Sequence, residues 1–247
     1  MWDYVLLGII QGIFEWIPIS SEGVVAMVSQ FLIKDLSSLD IALFLHLGTL
    51  LAVLIYFYKD FIDLLLIKDK EFFKFFVIVA TISGAIGFFV YQISSSVIMG
   101  SGLLFLMGLG LIFTSYMQKK QIKINISKNT LAIIVGILQG ISAIPGVSRS
   151  GSTVFGFSLS ENNPEKILKQ SYLISAPVVF GSSLYLFIKN PVLISQGWIA
   201  IIFSFIFGLL FLKIILSWAK NINFSLFTFL FGIICLIGAC LSFILQL

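Results

Sequence analysis

Six long apolar stretches constrain this chain more than any other feature of its sequence. Each has about 20 residues, the length of α-helix that crosses the hydrocarbon core of a bilayer. Because these stretches are continuously apolar and 59% of the chain is hydrophobic, the sequence excludes soluble classes and the alternating pattern of a membrane β-barrel. We therefore expect an all-α, polytopic protein of the plasma membrane with six transmembrane helices. The six stretches run approximately over residues 40–58, 72–93, 99–118, 168–188, 197–219 and 224–245.

Two further apolar stretches, residues 2–33 and 128–160, are interrupted by prolines and polar residues. Each half has only about 13 to 16 residues, or roughly 20–24 Å of helix, which is too short to span a bilayer comfortably. Non-helical backbone inside a membrane must be buried by protein or line a wet cavity. We therefore predict two re-entrant helix hairpins whose tips meet near the middle of the membrane.

The two interrupted stretches resemble each other. Gly8-Ile-Ile-Gln-Gly-Ile13 recurs as Gly136-Ile-Leu-Gln-Gly-Ile141, and each copy precedes a proline, a serine-containing turn and three of the six apolar stretches. An odd number of crossings in each unit gives the second copy the opposite orientation. The sequence thus predicts a single membrane domain over 1–247, built as an inverted-topology repeat of residues 1–123 and 124–247.

The lysines predict which side of the membrane each loop occupies. One group lies between the stretches at 40–58 and 72–93, and a second follows the stretch at 99–118, on the same side. Lys34 and Lys189 remain on the opposite side. Since the lysine-rich side is normally cytoplasmic, both termini are expected outside. The loop lysines also explain the net charge of +4, so no nucleic-acid partner is expected.

Arg149 is the only arginine in the chain, and it lies among Ser148, Ser150 and Thr153. An arginine near a membrane core is costly and usually marks a site, and its planar guanidinium fits phosphate oxygens two at a time. Ser148 or Ser150 can cap the following half-helix, whose N-terminus would bind an anion, and Gly146 allows the backbone to approach it closely. These residues predict a phosphate site. The alternative is a structural role, in which the arginine only holds its loop in place by donating hydrogen bonds to backbone carbonyls.

The first hairpin carries a second set of polar residues. Gln11 and Glu15 are four residues apart on one helix face, and Ser20 or Ser21 can cap the next half-helix. A buried Glu15 opposite the arginine of the other tip can hold a divalent cation, act as a general base or only form an ion pair. Glu22 is a third candidate, with a role as a solvated residue of the first helical turn as the alternative.

At these residues the chain resembles the undecaprenyl-diphosphate phosphatase family, also called the bacitracin-resistance family. The similarity covers essentially the whole chain, and the matching motifs are Gln11-Gly-Ile-Phe-Glu-Trp-Ile-Pro-Ile-Ser-Ser21, His46-Leu-Gly-Thr-Leu-Leu-Ala-Val53 and Pro145-Gly-Val-Ser-Arg-Ser-Gly-Ser-Thr153. Members of this family are membrane enzymes that remove the terminal phosphate of a polyprenyl diphosphate carrier, and their fold is a pair of inverted repeats with re-entrant hairpins. The resemblance implies the same fold here and a phosphatase acting on undecaprenyl or another polyprenyl diphosphate.

The resemblance also implies a role for each site residue. It links Glu15 to a divalent cation, Mg²⁺ or Ca²⁺, or to base catalysis. It puts the hydroxyls of Ser20 and Ser21 near the scissile phosphate, with one of them a candidate nucleophile. Arg149 would stabilise charge as the phosphoryl group is transferred. The residues expected to bind the diphosphate are Gln11, Gly146, Ser148, Arg149, Ser150 and Thr153.

The chain departs from the family pattern at two positions. Gln11 stands where the family often has glutamate, which weakens the case for a metal held by two carboxylates. The family's serine pair is commonly followed by a histidine with a catalytic part, whereas this chain has Glu22-Gly23-Val24. We expect Glu22 to take over the acid–base role. His46 is not a simple replacement, because a histidine inside an apolar span is at least as often a hydrogen-bonded structural residue.

Two other functions stay open. A polyprenyl-phosphate flippase or transporter without hydrolysis would fit inverted repeats with broken helices and the loss of a catalytic histidine; phosphate release distinguishes it from a phosphatase. A small-anion channel ranks lower, because the spans offer only scattered polar groups beyond the tips. The expected partners are the polyprenyl diphosphate and the membrane. The oligomeric state stays open, and a homodimer is one arrangement that the sequence allows.

Overall fold

Eleven α-helices, and no strand, make up the part of the chain that the structure describes. The computed structural model describes residues 2–33, 38–93, 100–120, 125–144, 147–189 and 192–244. The helices are α1 (Trp2–Phe14), α2 (Ser21–Leu32), α3 (Ser38–Tyr56), α4 (Tyr58–Leu65), α5 (Lys70–Ile93), α6 (Gly100–Lys119), α7 (Lys128–Ile141), α8 (Arg149–Ser158), α9 (Pro164–Lys189), α10 (Val192–Asn221) and α11 (Phe224–Ile244).

Each of the six predicted apolar stretches coincides with one long helix: α3, α5, α6, α9, α10 and α11. Four of these helices, α5, α9, α10 and α11, are long and apolar enough to cross a membrane, and α3 with α4 would form a fifth span that bends by 79°. Helices α1 and α7 and the segment Leu104–Tyr116 of α6 are shorter apolar helices. The chain is therefore an all-helical, multi-pass membrane protein with four or five membrane-capable helices among its described residues.

The two interrupted stretches break where their sequences predict. Helix α1 ends at Phe14 and α2 begins at Ser21, with Pro18 between them; α7 ends at Ile141 and α8 begins at Arg149. The four helices have 13, 12, 14 and 10 residues, which is too short for a span. Because α1 packs against α2 and α7 against α8, each interrupted stretch is a pair of short, packed helices.

Polar contacts between helix ends define two ends of the bundle. Lys169 Nζ lies 2.7 Å from Asp60 Oδ1, which joins the start of α9 to α4; we call this the α4 end. At the other end, the hydroxyl of Tyr91 donates to Asp40 Oδ1 at 3.2 Å and accepts from Lys189 Nζ at 3.3 Å. These bonds join the ends of α5 and α9 to the start of α3, and we call this the tyrosine end.

The repeated glycines pack the short helices closely against long ones. A Cβ on Gly12 of α1 would lie 2.7 Å from the backbone nitrogen of Gly208, and Gly8 approaches the same helix, α10. In the second copy, a Cβ added to Gly136 or Gly140 of α7 would lie 2.9 or 2.6 Å, respectively, from a side chain of α5. Corresponding glycines therefore make corresponding contacts, each with a long helix from the other half of the sequence.

Candidate functional site

Two helix N-termini face a common pocket. Ser20 caps α2 by accepting a hydrogen bond from the backbone N–H of Gly23 at 3.1 Å, and Ser148 caps α8 by accepting from Gly151 N–H at 3.1 Å. Of the capping serines that the sequence suggested, the structure therefore uses Ser20 rather than Ser21, and Ser148 rather than Ser150. Capping leaves other first-turn N–H groups of both helices without intrahelical partners, so each N-terminus carries partial positive charge.

The pocket between these N-termini collects most of the predicted site residues. Its side chains come from the break between α1 and α2, from the first turns of α2 and α8, and from the middle of α3. The lining residues are Glu15, Ile19, Ser20, Ser21, Glu22, His46, Val147, Ser148, Arg149 and Ser150.

Glu15 is the centre of the polar network in this pocket. Its Oε1 pairs with Nη2 of Arg149, and its Oε2 accepts hydrogen bonds from Gln11 Nε2 at 2.7 Å and Ser21 Oγ at 2.9 Å. Only 7% of Glu15 is exposed. A buried carboxylate is costly unless it is both paired and hydrogen-bonded, and these contacts meet that requirement. The ion pair connects the two interrupted stretches across 134 positions of the sequence.

His46 also lies in this network, a position that the sequence did not predict. Its Nε2 is 3.1 Å from Glu15 Oε2 and 3.7 Å from Glu22 Oε1. Its Nδ1 is 2.8 Å from the backbone oxygen of Ala42, and it donates there because a carbonyl oxygen can only accept. His46 is thus hydrogen-bonded within its own helix and still faces two carboxylates of the pocket.

Two of the remaining predicted site residues, Gln11 and Thr153, lie outside the pocket wall. Gln11 is fully buried and reaches the pocket through its bond to Glu15. Thr153 lies one turn along α8, where its hydroxyl donates to the backbone oxygen of Arg149 and is hydrogen-bonded to the hydroxyl of Ser171. Gly146 lies outside the described residues.

Two backbone oxygens in the break between α1 and α2 accept hydrogen bonds from side chains of other helices. Ser150 Oγ, in the first turn of α8, donates to the oxygen of Ile17 at 2.9 Å, and the hydroxyl of Tyr172 in α9 donates to the oxygen of Trp16 at 3.1 Å. Irregular backbone at membrane depth needs such partners because no bulk water is present to supply them. The tip of the α1–α2 pair is therefore held by α8 and α9.

The oxygen atoms of the pocket fit a divalent cation that is shared with a phosphate, but not one held by protein alone. Within the described ranges, no group of three or more His, Cys, Asp or Glu side chains is arranged to hold a metal. Two buried oxygens, Gln11 Oε1 and Glu22 Oε2, have no hydrogen-bond partner among the described residues. Mg²⁺ commonly binds through one or two carboxylates plus substrate phosphates, and Glu15 would be the carboxylate of such a set.

A larger cavity of about 330 Å³ opens beside the pocket. It lies between α2, α3, α5, α7 and α9, and it shares Glu22, His46 and Arg149 with the pocket. Most of its remaining lining is apolar or glycine, and it extends to Tyr91 and Tyr185 near the ends of α5 and α9. A polar pocket thus connects with a largely apolar space between helices.

This combination defines a class: a multi-pass helical membrane protein with a polar pocket between two broken stretches. Comparison with known proteins places it more closely, because a family profile for "Bacitracin resistance protein BacA" matches residues 4–238. The chain therefore belongs to the bacitracin resistance protein BacA family.

Curated relatives match over nearly their full length. The chain is 31% identical over 262 aligned residues to the undecaprenyl-diphosphatase of Sulfurisphaera tokodaii, with 98% of each chain covered. It is 34% identical over 257 residues to the undecaprenyl-diphosphatase of Halothermothrix orenii, covering 95% of this chain and 96% of that one. The protein of the same name from Moorella thermoacetica is 33% identical over 238 residues, with 91% of each chain covered.

A double-mutant cycle on Glu15 and Arg149 tests whether their ion pair stabilises the fold. We expect Glu15→Gln and Arg149→Gln each to lower stability, and the double variant to lose less than their sum, by about 0.5–3 kcal/mol. The reason is that each single substitution leaves the partner's charge unpaired in the pocket. Thermal unfolding of the purified protein in detergent measures all three variants.

A matched cycle on Lys68 and Asp63 serves as the control. These side chains are 2.6 Å apart and well exposed, so their coupling should not exceed about 1 kcal/mol. A coupling between Glu15 and Arg149 no larger than this control would contradict a structural role for the pair.

Proposed function

We propose that this protein is a membrane phosphatase that removes the terminal phosphate of undecaprenyl diphosphate, or of another polyprenyl diphosphate, and so regenerates the carrier monophosphate. The observation that carries the proposal is the pocket in which Arg149 and the N-termini of α2 and α8 converge. The curated relatives are named for hydrolysis of the same lipid class, which favours a phosphatase over a transporter.

The diphosphate would bind between the two helix N-termini. First-turn N–H groups and the partial positive charge of both helices favour phosphate there. Arg149, at the first position of α8, adds a full charge and a planar set of donors. Donors placed where charge develops are the largest source of rate enhancement in phosphoryl transfer. Arg149 is therefore the residue that we expect to contribute most to transition-state stabilisation.

Ser21 has the contacts of an activated nucleophile, whereas Ser20 has those of a helix cap. Ser21 Oγ donates to Glu15 Oε2, so Glu15 can accept its proton. Ser20 Oγ accepts from the backbone of Gly23. In the proposed step, Ser21 Oγ forms a bond to the terminal phosphorus, the bond from that phosphorus to the bridging oxygen breaks, and the proton passes to Glu15. Water then hydrolyses the phosphoserine.

Glu22 and His46 complete the acid–base machinery in this proposal. Glu22 lies in the first turn of α2 beside the two serines and would protonate the departing oxygen of the carrier monophosphate. His46 contacts both Glu15 and Glu22, and we assign it the role of positioning these two carboxylates. A contact from α3 thus compensates for the histidine that the family usually carries after the serine pair.

We also propose that Mg²⁺ or Ca²⁺ takes part, held by Glu15 and the phosphates of the substrate. When bound, the ion would offset phosphate charge and polarise the phosphoryl oxygens. Because glutamine stands at Gln11 in place of the more usual glutamate, Glu15 is the carboxylate available for the ion.

The membrane topology that we propose has six spans and two re-entrant hairpins, related as an inverted repeat of residues 1–123 and 124–247 within one domain. Helix direction supports it. Gly8 of α1 contacts Ala200, and Gly12 contacts Gly208, so α1 and α10 run in the same direction. Lys220, at the end of α10, pairs with the start of α9 at the α4 end. Helix α1 therefore begins at the tyrosine end.

Helix α7 begins at the opposite end. Gly136 contacts the backbone of Val79, and Gly140 contacts that of Ser83, so α7 and α5 run in the same direction, and α5 begins at the α4 end. The contacts between helices follow the same repeat, in which α1, α2, α3 and α5 correspond to α7, α8, α9 and α10. The contact α1–α10 corresponds to α7–α5, α2–α3 to α8–α9, and α3–α10 to α9–α5. With the lysine-rich α4 end in the cytoplasm, both termini lie outside.

Arg149→Lys tests the proposed function at its most specific residue. We expect kcat for phosphate release to fall about 10²-fold or more, because lysine keeps the charge but loses the paired donors. The assay measures inorganic phosphate released by the purified protein from a short-chain prenyl diphosphate with Mg²⁺ or Ca²⁺, with Lys120→Met as an exposed-lysine control. If the wild-type protein binds the diphosphate through Arg149 and releases no phosphate, the transporter replaces the phosphatase.

Ser21→Ala and Ser20→Ala form a matched pair that tests the nucleophile. We expect Ser21→Ala to abolish turnover, and Ser20→Ala to retain measurable turnover with a stability loss of about 1 kcal/mol from the missing cap. Phosphate release and thermal unfolding give the two readouts. Retained turnover in Ser21→Ala would assign the attack to water instead of serine.

Glu22→Gln tests the acid–base assignment. Glutamine keeps the shape of the side chain but cannot exchange a proton, so we expect kcat to fall about 10²- to 10⁴-fold. Unchanged phosphate release by Glu22→Gln would show that Glu22 does not carry the acid–base role.

A further inference from the structure

We propose that Lys189, held on the rings of Tyr91 and Tyr185, forms a receiving site for the diphosphate headgroup at the tyrosine end of the larger cavity. The headgroup would contact Lys189 before it reaches Arg149. This inference rests on the proposed function for the class of its ligand, an anionic lipid diphosphate. The site itself lies apart from the pocket in which the reaction takes place.

The ammonium group of Lys189 is held in place by two aromatic rings. Its Nζ lies 5.4 Å from the ring centroid of Tyr91 and 5.8 Å from that of Tyr185, within the range of cation–π attraction. The two rings pack edge to face with their centroids 5.7 Å apart. Lys189 itself is exposed, so its charge is both positioned and accessible to a ligand.

A chain of hydrogen bonds fixes this arrangement across three helices. Lys189 Nζ donates to the hydroxyl of Tyr91, and that hydroxyl donates to Asp40 Oδ1. An ammonium has three N–H donors, so Lys189 can hold Tyr91 and still donate to phosphate oxygens. Asp40 lies in the first turn of α3, Tyr91 in the last turn of α5 and Lys189 at the end of α9, so the site forms only where these helix ends meet.

The larger cavity connects this site to the reaction pocket. Tyr91 and Tyr185 line the cavity at one end, and Arg149 lines it where it meets the pocket. Between them the wall includes Gly84 and Gly181, where a Cβ would meet no other atom within 4 Å. A headgroup can therefore pass from one cation to the other along a wall without bulky side chains at these positions, and the apolar lining suits the first isoprene units.

The charge distribution along α9 makes Lys189 distinctive. The lysines at the start of this helix, Lys166 and Lys169, both pair with carboxylates at the α4 end. Lys189 lies at the other end of the helix, on the rings of Tyr91 and Tyr185, which line the cavity. A cation at the mouth of a low-dielectric cleft raises the local concentration of an anionic ligand and speeds its association.

Lys189→Met tests the inference, because methionine preserves much of the apolar stem and removes the charge. At low ionic strength we expect kcat/KM for a prenyl diphosphate to fall about three- to tenfold while kcat stays within about twofold, and Lys189→Arg to restore kcat/KM. The dependence of kcat/KM on salt should also weaken in Lys189→Met. The control is Lys119→Met, an exposed lysine at the end of α6. A kcat/KM equal to that of the control, or a loss of kcat as large as the loss of kcat/KM, would overturn the proposal.

Tyr91→Phe is the second variant, because it keeps the ring and removes the hydroxyl that positions Lys189. We expect a smaller loss of kcat/KM in the same direction, and no loss would contradict the role of the hydrogen-bond chain. The rate at which a prenyl diphosphate associates, measured independently of turnover, separates this inference from the proposed function. If the wild-type protein binds the lipid without hydrolysing it, the phosphatase fails, while a fall of the association rate constant by about three- to tenfold in Lys189→Met still supports the receiving site and an unchanged rate constant overturns it.

Discussion

The ion pair between Glu15 and Arg149 is the interaction on which the rest of this structure depends. Each group alone would be costly in the apolar interior of a membrane protein, and together they are tolerated only with further hydrogen bonds. Glu15 follows the end of α1 and Arg149 begins α8, so the pair can form only where both interrupted stretches break at the same depth. Other contacts stabilise the convergence of these helix ends. They are the serine caps, the hydrogen bond from Ser150 to the backbone oxygen of Ile17 and the hydrogen bond from Tyr172 to the backbone oxygen of Trp16.

The convergence of the same helix ends also explains how the proposed phosphatase would hold the headgroup and the tail of its substrate in separate places. Two N-termini and one guanidinium meet in a compact polar pocket that also contains Glu15 and Glu22, and an apolar cavity lies beside it between α3, α5 and α9. A polyprenyl diphosphate has the same two parts, a headgroup of high negative charge and an apolar tail. Glu15 has two tasks in this arrangement. Its Oε1 holds the arginine, and its Oε2 accepts a hydrogen bond from the proposed nucleophile, Ser21.

Local sequence signals predicted the elements better than the contacts between them. The length of each continuous apolar stretch predicted a long helix, and Pro18 with the serines at 20 and 21 predicted the first break. Both signals are local, because span length and helix capping are set by neighbouring residues. His46 was missed as a member of the site because its contact with Glu15 arises from the packing of α3 against α1 and α2, and no spacing in the sequence encodes that packing. The cluster of Lys189 with Tyr91 likewise joins residues 98 positions apart. Thr153 remains a predicted ligand of the diphosphate, because the motif suggests that contact and the structure shows only that its hydroxyl is hydrogen-bonded to Ser171.

An experimental structure of the protein with a non-hydrolysable prenyl diphosphate analogue, in which a methylene group replaces the bridging oxygen, would test the central claim most directly. We predict that the terminal phosphonate lies between the N-termini of α2 and α8, within hydrogen-bonding distance of Arg149 and Ser21, with the prenyl chain in the cavity between α3, α5 and α9. A headgroup bound elsewhere, with the Glu15–Arg149 pocket closed and empty of ligand, would contradict it.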